Sequence, residues 1–165
     1  MTAPRPAQLP VRLRKGRKTD VRAQFGALCW RRKNGQLQIC LVTTRTTARW
    51  TVPKGWPMHK ETPAAAAATE AWEEAGLTGT ATDRCLGVFS YVKPLKTGQK
   101  PVLCMVYPVE VTAVAKVWPE AGQRKRKWFT PEKAARKVEW PELRRILATF
   151  DPDGPGAAEA IAPDA

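Results

Sequence analysis

The stretch that decides the reading is Thr62-Pro63-Ala-Ala-Ala-Ala-Ala68-Thr69-Glu70-Ala71-Trp72-Glu73-Glu74-Ala75-Gly76. Thr62 suits a helix N-cap, where its hydroxyl can accept from an N–H of the first turn. Pro63 suits the first helical position, where no N–H is needed. Ala64–Ala68 have the highest intrinsic helix propensity, and Gly76 can supply the left-handed residue that ends a helix. The pattern predicts a helix over 62–75. Ala64, Ala68, Ala71 and Ala75 form one stripe, small enough to lie close on a sheet. Glu70, Glu73 and Glu74 form another at i, i+3 and i+4, so their carboxylates converge within one turn.

That acidic stripe is unfavourable in a purely structural helix. Like charges at this spacing repel by a few tenths of a kcal/mol per pair. They also cluster at the C-terminal end, where the helix dipole disfavours anions by roughly 0.3–1 kcal/mol each. Residues 61–82 hold four Glu and no Lys or Arg to offset them. A hard divalent cation would remove the conflict, because Mg²⁺ or Mn²⁺ takes oxygen ligands and bridges carboxylates to phosphate oxygens. A solvated acidic face is the other reading of the carboxylates taken alone.

The residues just upstream decide between these readings. Gly55-Trp-Pro-Met-His-Lys-Glu61, followed after seven residues by Thr69-Glu70-Ala71-Trp72-Glu73-Glu74-Ala75-Gly76-Leu77, closely resembles the Nudix box. In that box a Gly is followed after five residues by Glu. Seven residues later come Arg-Glu, an apolar residue, any residue, Glu-Glu, any residue, Gly and an apolar residue. Gly55, Glu61, Glu70, Ala71, Glu73, Glu74, Gly76 and Leu77 match. With Gly and Glu each near 7% usage, the six fixed matches in one register would arise by chance about 10⁻⁷ of the time. Thr69 departs, standing where the family has Arg.

The chain is thereby identified as a member of the Nudix superfamily. The resemblance implies an α/β fold, an α/β/α sandwich with a mixed sheet and the Nudix loop-helix. It implies metal-dependent hydrolysis of a phosphoanhydride. Carried over by position, Glu73 and Glu74 bind Mg²⁺ or Mn²⁺. Glu70 binds metal or acts as general base, and the Gly55 carbonyl is a further ligand. Glu61 supports the loop–helix arrangement and is a weaker metal candidate. Glu110 and Glu120 are candidates for a ligand outside the box. The family's Arg holds the catalytic Glu by a charge-assisted hydrogen bond, an interaction worth ~1.5–3 kcal/mol that Thr69 cannot replace. Three consequences are open: another cation does the job, activity is reduced, or the chain binds a nucleotide or RNA without turnover.

Within the superfamily, three segments look like the diphosphoinositol polyphosphate and diadenosine polyphosphate hydrolases. These are Thr43-Thr44-Arg45…Arg49-Trp50-Thr-Val-Pro-Lys54-Gly55, the box itself, and Arg124-Lys-Arg-Lys-Trp128-Phe129 with the helix after it. The resemblance implies that Arg22, Arg45, Arg49, Lys54 and Arg124 contact substrate phosphates. Arg suits bidentate phosphate contact, and Lys acts as a point charge. Trp56 has two readings, stacking on a base or covering the core, and His59 reads as a loop residue.

The rest of the chain fits this frame. It has 165 residues and a formal charge of +13 from 28 Lys and Arg against 15 Asp and Glu. That length suits one domain. Such a charge suits polyanions, and a polyphosphorylated small molecule or an RNA 5′ end would both meet it. Residues 1–20 read as a flexible basic arm, 21–150 as the domain, and 151–165 as a disordered acidic tail. No apolar run approaches the ~18 residues of a membrane span, and no signal-peptide core is present, so a soluble, cytoplasmic protein without a membrane partner is expected. Cys29, Cys40, Cys85 and Cys104 lack metal-ligand spacing and read as buried free thiols. The single His59 makes a His-based zinc site untenable, and no nucleophile motif surrounds the single Ser90.

Strands are expected at 21–30 and 36–44 about an Asn34-Gly35 turn, then at 50–52, 85–92, 102–111 and 127–129. Residues 93–101 read as a loop. Helices are expected at 131–137, after the Thr130 cap, and from Pro141 with Leu143, Ile146 and Leu147 on one face.

Overall fold

A computed structural model describes residue 10, residues 22–95 and residues 98–154. The basic arm, Pro10 apart, and the tail beyond 154 lie outside the described residues. Residues 151–154 form a turn, with Asp153 ion-paired to Arg32.

β1 (Ala23–Lys33) and β2 (Gln36–Thr43) form the expected hairpin, with Cys29 opposite Cys40. Asn34 and Gly35 both take positive φ, 52° and 75°, as a two-residue hairpin turn of this twist requires. β1 then pairs in parallel with β7 (Gly98–Val114), from Ala23–Leu103 to Trp30–Glu110. On its other side β7 pairs antiparallel with β6 (Gly87–Leu95) and β5 (Leu77–Ala81). β3 (Trp50–Thr51) and β8 (Arg126–Phe129) pair with β2. β4 (Lys54–Gly55) pairs with the first part of β1, placing Gly55 opposite Phe25. Among the described residues the sheet is therefore mixed, with eight strands.

Both faces of the sheet are covered. On one, Phe25, Ala27, Cys29, Cys40, Val42, Tyr107 and Val109 pack against the alanines of α1 (Pro63–Ala75). On the other, Leu28, Ile39, Leu41, Phe89, Cys104 and Val106 pack against α2 (Pro131–Lys137) and α3 (Pro141–Ala148). Alternation along β1 produces this division, because successive side chains of a strand leave opposite faces. Leu143 and Leu147 of α3 are fully buried, and each contributes about 1.5–3 kcal/mol relative to exposure. The apolar side chains that α1 buries are alanine methyls alone, so its packing on the sheet is held less by bulk than by close approach. No helix among the described residues is long and apolar enough to cross a membrane.

Three expectations are corrected. β5 was not anticipated, because its run is only five residues long and carries Gly79 and Ala81, residue types that strands disfavour; the bulge lies opposite it, at Thr112 of β7. Gly79 is required there, since a Cβ would come within 1.9 Å of the Glu110 carbonyl oxygen. The expected loop 93–101 instead continues the β6–β7 ladder through Pro94–Gln99 to Leu95–Gly98. Cys85 is exposed, whereas Cys29, Cys40 and Cys104 are buried, and all four are free thiols.

Candidate active site

α1 begins and ends as its sequence dictates. The Thr62 hydroxyl accepts from the Ala65 N–H at 3.1 Å, and Gly76 closes the helix at φ 65°. Its C-terminal half faces an open cleft of about 820 Å³, reached by Glu70, Glu73 and Glu74. Gly55, Lys54, Arg45, Arg49, Glu120 and Arg124 line the same cleft. Nine of the residues singled out from sequence are thus brought to one place, across some 80 positions of chain.

Gly55 is where the backbone comes closest to the acids. A Cβ there would lie 2.0 Å from Oε1 of Glu70 and 2.7 Å from Oε2. Only a residue without a side chain lets this loop pass the Glu70 carboxylate. The β4–β1 pairing fixes the loop, and the Ala27 N–H donates to the Pro53 carbonyl at 2.8 Å just before it.

Glu70 and Glu74 are 7% and 5% exposed. Glu74 accepts from the Lys54 N–H at 3.3 Å, and its other oxygen lies 3.1 Å from the Arg124 guanidinium. Burial pushes the Glu74 carboxyl up to about 7, with Arg124 and Lys54 pulling the other way. Burial also lowers Lys54, which is drawn back toward its charged form by Glu74 and lies over the Tyr91 ring. Glu74 therefore sits in an environment that penalises its charge and rewards a cation.

The end of α1 is received by the segment leading to β8. The Glu120 N–H donates to the Glu73 carbonyl at 3.0 Å, and the Trp118 indole to that of Glu74 at 3.1 Å. The Arg126 guanidinium donates to the Ala75 carbonyl at 2.7 Å, and the Ala115 N–H to that of Gly76 at 2.9 Å. Four carbonyls that a helix end leaves without intrahelical partners are satisfied in this way. Arg126 also places positive charge at the negative end of the dipole.

The rim is cationic. Arg45 is exposed, within 3.8 Å of Glu120 and 3.3 Å of Gln123, and Arg49 pairs with Glu139 at 3.4 Å. Exposed pairs of this kind are worth about 0–1 kcal/mol, so an incoming phosphate can displace them. Trp56 lines the cleft, with the Lys93 ammonium 5.2 Å from its ring centre.

Three sequence candidates stand apart from the cleft lining. Glu110 follows Val109, which faces α1, so it leaves the opposite face and lines a small pocket with Trp30, Arg84 and Phe150. Glu61 is exposed in the turn ahead of the helix cap, and Arg22 is exposed at the entry to β1. Lys93, Tyr91 and Gln24 line the cleft without having been anticipated. Lys93 fell in the segment read as a loop. Tyr91 and Gln24 are joined by a hydrogen bond between elements distant in sequence, which no local pattern encodes. His59 lies in an exposed turn, as read.

The donor set suits a hard divalent cation. The acids gathered here offer oxygen only, and Gly55 gives the backbone access to Glu70. None of the thiols lines the cleft, and Cys40 and Cys104 are buried and pushed up to about 12. Among the described residues no three acids are already gathered around one point. Glu74 is instead held by Arg124.

Residues 21–150 match the family model for the NUDIX domain. The chain is 30% identical over 119 residues to the mitochondrial Nudix hydrolase 12 of Arabidopsis thaliana, covering 70% of this chain and 59% of that protein. It is 32% identical over 114 residues to the human diphosphoinositol polyphosphate phosphohydrolase 3-beta, covering 68% and 66%. The chain thus spans about 59–66% of the length of these relatives. An Ap4A hydrolase of C. elegans superposes with a TM-score of 0.56 at 22% identity, over 76% of this chain and 92% of that one, a likeness of fold. The box, the sandwich and the match over 21–150 agree, and the chain belongs to the NUDIX domain family.

Proposed function

We propose that this protein is a metal-dependent pyrophosphohydrolase that cleaves a phosphoanhydride in a polyphosphorylated small molecule, such as a diadenosine polyphosphate or a diphosphoinositol polyphosphate. The observation that carries this reading is the placement of three carboxylates of one helical turn in a cleft whose rim bears Arg45, Arg49 and Lys93. The names of the relatives, a diphosphoinositol polyphosphate phosphohydrolase and an Ap4A hydrolase, support the substrate class.

Glu70, Glu73 and Glu74 would hold Mg²⁺ or Mn²⁺, joined by the Gly55 carbonyl and Glu120. A divalent ion held there would supply neutralisation of the charge on phosphate oxygens. Arg45, Arg49 and Lys93 bind and orient the phosphate chain at the rim. Glu74 is committed to Arg124 and the Lys54 N–H. Glu70, which lies against the Gly55 backbone in the cleft, is assigned to take the proton of the attacking water. Trp56, Tyr91 and Trp140 add aromatic surface to the lining of the cleft.

The charge of +13 favours a second substrate in the same reaction class, a triphosphorylated RNA 5′ end or a nucleoside triphosphate. A binding module without turnover is the reading that Thr69 favours, since its hydroxyl donates to the Ala65 carbonyl at 3.1 Å and leaves the helix without a cation.

The test is turnover by the full chain with Mg²⁺ or Mn²⁺ on diadenosine polyphosphates, inositol pyrophosphates, nucleoside triphosphates and 5′-triphosphate RNA. Glu73→Gln and Glu74→Gln are expected to lower kcat/KM by ~10³-fold, the several kcal/mol a metal-held charge supplies. Absence of turnover on every substrate, with ligand binding retained, would establish the module instead.

A further inference from the structure

Arg124 lines the cleft, but not as the exposed arginines of its rim do. Its side chain is 9% exposed, whereas those of Arg45 and Arg49 are 62% and 50% exposed. Three of its donors are engaged at once. Nη2 lies 3.1 Å from Oε1 of Glu74, Nε donates to Oε1 of Glu120 at 3.3 Å, and Nη1 donates to the Thr43 carbonyl at 3.1 Å. Its backbone is clamped to the same strand end. The Lys125 N–H donates to the Thr43 hydroxyl at 2.9 Å, and the Thr43 N–H to the Lys125 carbonyl at 3.1 Å. A planar fork held at its base and at its tips fixes the atoms it grips.

The two carboxylates it grips come from different elements. Glu74 is on α1, and Glu120 is on the segment that caps α1. No Lys or Arg occurs in residues 61–82, and Thr69 turns its hydroxyl back into the helix. Lys54 also faces Glu74, from β4, but the guanidinium that ties the helix acid to Glu120 is delivered by the chain just before β8.

We propose that Arg124 is a positioning residue, which holds Glu74 and Glu120 in register as one donor pair and brings to them, from outside the helix, a guanidinium that α1 itself lacks. This rests on the reading of the cleft as a metal-dependent hydrolase site. The proposal separates Arg124 from the phosphate-binding set in which its sequence position had placed it. Arg45, Arg49 and Lys93 bind substrate, whereas Arg124 acts through the acids.

The experiment compares wild type, Arg124→Gln and Arg124→Lys as full chains in two assays. One is Mn²⁺ affinity, read from the free-ion electron paramagnetic resonance signal without substrate. The other is kcat and KM on a substrate that the wild type turns over. Arg124→Gln is expected to weaken Mn²⁺ binding by about 10-fold and lower kcat by 10–100-fold, the range for removing a residue that orients metal ligands, with KM within threefold. The sign of the Mn²⁺ change is diagnostic, because deleting a positive charge beside carboxylates would by itself tighten cation binding. Arg124→Lys keeps the charge but not the fork, so it is expected to stay closer to Gln than to wild type. Unchanged or tighter Mn²⁺ binding would overturn the proposal. So would a tenfold higher KM at full kcat, the signature of a substrate-binding arm. If Arg124→Gln fails to fold by circular dichroism, Arg124→Lys is judged by the same criteria. If wild type binds Mn²⁺ but turns over nothing, the hydrolase reading fails, while the Mn²⁺ comparison still decides the role of Arg124.

Discussion

At its N-terminal end α1 closes on itself: the Thr62 hydroxyl meets the Ala65 N–H, Pro63 needs no partner, and five alanines propagate the turn. At its C-terminal end almost nothing is settled locally. Three carboxylates lie along an unfavourable dipole, no basic residue stands in the last turn, and the carbonyls of 73–76 are met by Glu120, Trp118, Arg126 and Ala115. The difference separates what makes the helix from what makes the site. The first end is stabilised by its own sequence. The second is a high-energy arrangement kept in place by a segment some 40 residues away. Functional sites commonly depart from local rules in this manner, with the surrounding fold supplying the compensation.

The comparison breaks most visibly at Gly55, which touches only the second end. Gly55→Ala would put a Cβ within about 2 Å of the Glu70 carboxylate, so the acid must move. A displacement near 1 Å is expected to lower kcat/KM by about 10²-fold. Because the Gly55 backbone needs no positive φ, thermal stability should change little by comparison. Retention of full activity would mean that the position of Glu70 is not set by this approach.

Arg126 tests the capping segment. Arg126→Ala removes donors to the Ala75 and Ala115 carbonyls and a guanidinium 4.0 Å from the Trp118 ring centre. A loss of about 2 kcal/mol is expected, since bonds to a charged donor are worth ~1.5–3 kcal/mol. The melting temperature should fall by about 4–8 °C. Activity should fall too, at temperatures where the rest of the protein is still folded, as measured by turnover beside circular dichroism. A fall in stability with turnover untouched would show that the cap does not govern the acids.

The same asymmetry explains how much could be read in advance. The helix, its two caps, the Asn34-Gly35 hairpin and the apolar face of α3 rest on interactions within a few residues, so their signals are written side by side. The box acids were legible because their spacing is that of one helical turn. Glu120 was one of two equal candidates, and only the alternation of β7 sends Glu110 to the opposite face. Lys93, Tyr91 and the capping roles of Trp118 and Arg126 depend on contacts between distant elements, and no periodicity encodes those. β5 escaped because it is only five residues long, and Gly79 and Ala81 weaken the composition by which a short edge strand is recognised.

The smallest effect should come from the self-sufficient end. Thr62→Ala removes the hydroxyl that accepts from the Ala65 N–H, a loss of about 1 kcal/mol for an N-cap. In a chain of this size that lowers the melting temperature by about 2–4 °C. Thr62 lies outside the cleft lining, and the acids begin eight residues on, so kcat/KM should stay within twofold of wild type. The comparison with Arg126→Ala is then made at equal distance below each variant's own midpoint. If Thr62→Ala loses as much turnover as Arg126→Ala there, α1 responds as one rigid rod and its two ends are not separable. If it loses none, fraying at the cap is absorbed by the alanine turns before it reaches Glu70, as the weak coupling between a helix's first turn and its last would require.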